Sequence, residues 1–143
     1  MAKRPSATIK KIAKLMRDVD FCMLTTHTKN GSAHVRPMSN NGQVEFDGDV
    51  WFFSAADSRK VREIQVTPKV HLSYVDLDQW RFVSMAGRAR IVRDIEKKQE
   101  PWQEELQQWF NEGPESDDIV LIKVTPTVVS YWTKNDEGEL RVK

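Results

Sequence analysis

The sequence predicts a mainly β protein, an antiparallel barrel or sandwich with flanking helices. Three features of the chain predict it. Short apolar or alternating runs recur between turn residues, among them FCMLTTH, AHVRPMS, VWFF, VHLSYV and RFVSMAGRARIVR. Helical spacing is confined to a first stretch, one near the middle and one after Asp94. No internal repeat, low-complexity segment or linker divides the 143 residues, so they read as one domain over 1–143. With 39% hydrophobic and 30% charged residues the chain has apolar material for one core.

In order, Ser6 is expected as an N-cap, and Ile9, Ile12, Leu15 or Met16, and Val19 then recur at helical spacing. The other face of that helix carries Lys10, Lys11, Lys14 and Arg17. Such a face is commonly just solvated, although basic helices also touch membranes or nucleic acid. Phe21–His27 reads as a strand, Lys29-Asn30-Gly31-Ser32 as its turn and Ala33–Ser39 as the returning strand. Pro37 removes a ladder donor, which places that strand at an edge or bulges it. After the turn signal Asn40-Asn41-Gly42, residues 44–46 and 50–53 flank Asp47-Gly48-Asp49 as a hairpin. A helix starting at Asp57 or Ser58 is expected to stop before Pro68. Residues 70–75 alternate as a strand, 76–79 turn, and 81–93 form a long strand with Gly87 at its middle, the mark of a bulge or sharp coiling. Asp94 is expected to cap a helix bearing Trp102, Leu106 and Trp109 on one face, ended by Asn111-Glu112-Gly113-Pro114. Residues 119–124 and 128–132 supply the last strand material, interrupted at Pro126. Residues 135–139 turn into a short 140–142.

Composition excludes several function classes. Lys+Arg 22 against Asp+Glu 21 gives a net charge of +1, so no global field drives nucleic-acid binding. Cys22 is the one cysteine and sits in an apolar run, which forbids an intrachain disulfide and predicts an inert core thiol. No apolar run is long enough to span a bilayer and no signal-peptide core follows Met1, so a cytoplasmic location is expected. His27, His34 and His71 are not spaced as metal ligands, and HExxH and CxxC are absent, so no metal site is expected. GxSxG, the P-loop and GxGxxG are absent as well. Five Trp is a high count for this length and fits a core, an interface or a stacked planar ligand.

The stretch with the most chemistry is VWFFSAADSRKVREI at 50–64. A strongly apolar strand delivers the backbone to a helix N-terminus that carries Ser54, Ser58, Arg59 and Lys60. Unpaired N–H groups, a partial positive charge, hydroxyls and full cations suit a phosphate. The same residues also fit a capped surface helix.

Together with HVRPMS at 34–39, WRFVSMAGRARIVRD at 80–94 and WFNEGP at 109–114, this stretch gives the chain a likeness across nearly its whole length. It resembles the FMN-binding split-barrel superfamily related to pyridoxamine 5′-phosphate oxidase, in the bacterial general stress protein branch. The resemblance implies an antiparallel split β-barrel of Greek-key type with peripheral helices. It also implies a homodimer with cofactor sites between subunits; the charge balance and the short apolar runs lead to the expectation of no nucleic-acid and no membrane partner. By resemblance, Arg36 and Lys60 hold the FMN phosphate, assisted by Ser54 and Ser58. Pro37, Met38, Ser39 and the strand Trp51, Phe52 and Phe53 line the isoalloxazine. Trp109, with Phe110 as alternative, approaches the flavin from the second subunit. FAD in place of FMN stays open. The oxidase itself has a C-terminal arginine–histidine region for the vitamin phosphate; residues up to Lys143 show no such region, so pyridoxamine phosphate oxidation is not expected. No general acid or base is identified. The implied function is an FMN-dependent oxidoreductase of unknown substrate, or alternatively a non-catalytic flavin binder, carrier or sensor in the stress response. A dimeric module that has lost its flavin is a third possibility.

Overall fold

The computed structural model describes residues 8–39, 46–94 and 116–142. Helix α1 is Ile9–Met16, and Thr8 caps it: its backbone is extended and its hydroxyl accepts from the Lys11 N–H at 3.1 Å. Ser6, the cap expected from sequence, lies outside the described residues, as does the helix expected after Asp94. Ile12, Ala13 and Leu15 of α1 are buried, while Lys10 and Lys14 face solvent. The apolar stripe seats the helix.

The strands are β1 (Phe21–His27), β2 (Ala33–Ser39), β3 (Val50–Ala55), β4 (Lys69–Asp76), β5 (Arg81–Val92), β6 (Ile119–Trp132) and β7 (Glu137–Arg141), with helix α2 (Arg59–Val66) between β3 and β4. They form one antiparallel sheet in the order β2-β1-β4-β5-β6-β3, with β7 also on β6. Among the described residues, β2 and β3 are therefore edges. Pro37 lies in β2, the edge position its missing N–H demands. Helix α2 ends at Val66, with Thr67 as its C-cap, before Pro68, as its sequence predicts.

Of two expectations about strand breaks, one lies largely outside the described residues and one is corrected. The hairpin expected around Asp47-Gly48-Asp49 has no described first strand: 40–45 lie outside the described residues, Phe46 is buried but irregular, and β3 pairs with β6. Pro126 does not interrupt β6, which runs on to Trp132. The strain is absorbed by a register shift: Gly87 pairs Pro126 while Ala86 pairs Val128, leaving Thr127 as the extra residue of a bulge. The Thr127 hydroxyl donates to the Ala86 carbonyl at 3.2 Å. Gly87 has no room for a side chain, because a Cβ there would sit 2.6 Å from the Thr125 carbonyl oxygen and 3.0 Å from Pro126 Cα.

The core joins one face of the sheet to the two helices. Ile12 of α1, Val61 and Ile64 of α2, and Leu24, Phe52, Leu72, Met85 and Tyr131 of the sheet belong to it. A smaller cluster of Phe53, Ile119 and Leu121 packs with Trp51 and Val92. Cys22 is buried, and burial pushes its thiol up to about 12, which makes it the inert core group expected. Strand alternation and register place Phe21, Met23, Val35, Val75 and Trp132 together on the face away from the core, and each of them is exposed.

Candidate functional site

Strand β3 and helix α2 meet at a tight corner. The Ala56 N–H donates to the Asp118 carbonyl at 2.8 Å, and the Ser58 N–H donates to the Ala55 carbonyl at 3.2 Å. Ser58 occupies the N-cap position, yet its hydroxyl makes no capping bond to α2. It lies 3.0 Å from the buried Ser54 hydroxyl instead. Ser54 donates to the Ala55 carbonyl, so Ser58 is the donor of the pair. The first turn of α2 carries no acid. The positive end of the helix thus has neither a side-chain cap nor a carboxylate against it, the state that favours an anion.

Two cations approach this corner. Arg36 comes from edge strand β2, with its guanidinium donating to the Leu24 carbonyl at 3.2 Å and to Glu63 Oε1 at 3.4 Å. Its side chain is 22% exposed, and among the described residues these two bonds engage only some of its five N–H donors. Burial lowers its pKa, which Glu63 counteracts and Arg59 reinforces. Lys60 stands in the first turn of α2 and is half-buried. Burial lowers its pKa and the charge of Arg36 lowers it further. That repulsion is felt on the lysine because a guanidinium keeps its proton to higher pH. Among the described residues Lys60 has no carboxylate partner. Arg36 and Lys60 are thus near enough for their charges to interact.

Glu63, one turn further along α2, ties the corner together. Its carboxylate is 11% exposed. It accepts from the Thr26 hydroxyl at 2.6 Å, His34 Nδ1 at 2.7 Å, Arg59 Nε at 3.0 Å and Arg36 Nη2 at 3.4 Å. Burial pushes the carboxyl up, but bonds from Thr26, His34 and Arg59 outweigh it and hold the pKa at about 2. His34 Nε2 lies 2.6 Å from Arg59 Nη2. Arginine only donates, so Nε2 accepts, and a neutral His34 donates to Glu63 from Nδ1. Arg36 and Arg59 both bond Glu63 and Lys60 stands near Arg36, so among the described residues three cations gather around one carboxylate, a local excess of two positive charges.

The remaining expected contacts are dispersed around the corner. Pro37 is exposed and Ser39 half-buried at the end of β2, while Met38 points into the core. Trp51 is half-buried with Lys123 Nζ 5.3 Å from its ring centroid. Phe52 packs in the main core and Phe53 in the smaller cluster, and both rings are buried. Trp109 and Phe110 lie outside the described residues. No group of metal-ligating side chains occurs among the described residues. Sequence reasoning passed over Thr26, His34 and Glu63. The spacing of Arg59 and Glu63 and the shared strand face of His34 and Arg36 were visible, but their meeting across two elements was not.

Comparison with known proteins adds a family. The model of the family described as "Pyridoxamine 5'-phosphate oxidase like" matches residues 7–142. General stress protein 26 of Bacillus subtilis is 30% identical over 77 residues, covering 51% of this chain and 54% of that protein, so the chain spans about half the length of that relative. Among solved structures, General Stress Protein 26 from Bacillus anthracis superposes with a TM-score of 0.79 at 24% identity, covering 93% of this chain and 97% of that one. A pyridoxamine 5'-phosphate oxidase-related, FMN binding protein from Nostoc punctiforme superposes with a TM-score of 0.69 at 14% identity, covering 87% of each chain. At such identities the superpositions establish the fold.

Proposed function

The chain belongs to the pyridoxamine 5'-phosphate oxidase like family, and from that premise we propose that it binds flavin mononucleotide with the phosphate between Arg36 and Lys60 at the N-terminus of α2. The observation that carries this reading is Lys60: a half-buried cation, repelled by Arg36 and without a carboxylate partner among the described residues. Perturbed, uncompensated charge of this kind marks binding sites more than structural ion pairs. A phosphate monoester carries about −1.5 to −2 charges at neutral pH, which matches the local excess of two positive charges. The first turn of α2, without a side-chain cap, supplies neutral N–H donors beside the cations.

The isoalloxazine lies along Pro37 and Ser39 of β2 and against Trp51 in this reading. A second copy of the chain covers the exposed face of Phe21, Met23, Val35, Val75 and Trp132, and brings Trp109 to the flavin. Bound flavin supplies the hydride or electron chemistry, and the protein holds and orients it. The activity is then that of an FMN-dependent oxidoreductase.

One observation favours a second reading, a flavin binder without catalysis. The carboxylate at the corner, Glu63, is held ionised and fully hydrogen-bonded, so it is no proton donor or acceptor near neutral pH. The visible spectrum of purified protein, with mass analysis of the released cofactor, tests flavin binding directly. Anaerobic mixing of FMN-loaded protein with reduced nicotinamide then separates the readings. Bleaching faster than a free-FMN control supports the reductase, and no excess bleaching supports the binder. Failure to retain FMN after reconstitution would sink both.

A further inference from the structure

We propose that Glu63 is a positioning residue for the anion site, holding Arg36 on β2 and the first turn of α2 in the convergent arrangement that receives a phosphate. This rests on the reading of Arg36 and Lys60 as phosphate anchors. Burial lowers the pKa of Lys60 and the nearby charge of Arg36 lowers it further, so the two cations repel each other when no anion is present. Something must hold them together beforehand, or the ligand has to do that work on binding.

Glu63 is placed to do it. Its carboxylate joins three elements: β1 through Thr26, β2 through His34 and Arg36, and α2 through its own backbone and Arg59. Oε1 receives Thr26 and Arg36, and Oε2 receives His34 and Arg59, so both oxygens are committed. The His34–Arg59 contact closes the ring and draws Arg59 away from the role of a third anchor. Arg36 is fixed from a second side by the Leu24 carbonyl, which sets the direction of its remaining N–H groups. A side chain locked in this way loses less entropy when it meets its ligand.

The consequence runs against simple electrostatics. Removing a negative charge beside an anion site strengthens the attraction for a phosphate. If Glu63 acts by position, its loss weakens phosphate binding in spite of the added positive charge. The test compares FMN with riboflavin, which lacks the phosphate, by fluorescence titration of the wild type, Glu63→Gln, Glu63→Asp, Arg36→Ala and the Arg36→Ala/Glu63→Gln double variant. Glu63→Asp keeps the charge and shortens the reach, so it carries the test if Glu63→Gln does not fold by circular dichroism. Both Glu63 variants are expected to weaken FMN by about tenfold and riboflavin by less than about twofold. In the Arg36→Ala background, Glu63→Gln is expected to add less than about twofold, since coupled residues are not additive. Unchanged or tighter FMN binding in the Glu63 variants overturns the inference, as does an equal loss for FMN and riboflavin. If Arg36→Ala leaves FMN binding intact, the phosphate-anchor reading itself fails, and this inference with it.

Discussion

Replacing Lys60 by methionine is expected to move stability and affinity in opposite directions. Methionine keeps the apolar stem of the side chain and removes the ammonium. In the folded protein burial and then Arg36 lower the pKa of Lys60 below its ordinary value of 10.5. A lysine with a depressed folded pKa opposes folding while it is charged. That handicap is full below the folded pKa and fades as pH rises from there to 10.5, the ordinary value. At pH 7 Lys60→Met is therefore expected to stabilise the ligand-free protein, by no more than about 1 kcal/mol because the group is partly solvated. Its contact with a phosphate is a charge-assisted hydrogen bond worth about 1.5–3 kcal/mol. Losing it weakens FMN by roughly 10- to 150-fold. Urea denaturation with and without FMN reads both effects, since a ligand that binds the folded state adds stability by mass action. An FMN affinity within about twofold of wild type, or a ligand-free variant less stable than wild type, would refute the reasoning.

Arg36→Ala is expected to weaken FMN by more than about tenfold, and the Arg36→Ala/Lys60→Met pair to be non-additive by at least about 0.5 kcal/mol, because each cation relieves or repels the other; calorimetric titration of the four proteins checks this, and strict additivity would place the two in separate sites. Gly87→Ala is expected to cost about 1–3 kcal/mol in urea denaturation, since the neighbours it meets are backbone atoms that yield poorly; a loss under about 0.5 kcal/mol would mean that the bulge adapts. Glu63 has a pKa lowered from 4.5 to about 2, so its contribution to stability is present above the unfolded value and is lost as pH falls toward 2. Denaturation of wild type and Glu63→Gln across that acid window is expected to show the difference shrinking as pH drops, and a constant difference would contradict it. Trp109→Ala is expected to change the fluorescence of bound flavin more than its affinity, and an unaltered spectrum would assign Trp109 to packing.

Much of the fold was legible because period-2 alternation and breaker residues act locally. Phe21–His27 and Ala33–Ser39 occupy the strands their patterns predict, and Pro37 marks an edge. Gly87 marks a register shift. Val61 and Ile64 bury the face that their spacing of three requires. The failures are tertiary in origin. Pro126 breaks a strand in isolation, but the extra residue Thr127 in its pairing with β5 lets β6 continue. Thr8 takes the N-cap expected of Ser6, its hydroxyl accepting from the Lys11 N–H. At the site, Arg36 and Lys60 were legible through the segments 34–39 and 51–64. Glu63 was not, because its partners Thr26, His34 and Arg36 are at least 27 residues away in sequence and meet it only when α2 packs across β1 and β2. The rings of Phe52 and Phe53 show the converse: an apolar strand suits a flat ligand in sequence, yet here both rings are used by the cores.

The most direct measurement is a structure of the protein with FMN bound. The account predicts phosphate oxygens within about 3.2 Å of both the Arg36 guanidinium and the Lys60 ammonium, at the first turn of α2. A phosphate that contacts neither cation, with the flavin seated elsewhere on the sheet, would contradict it.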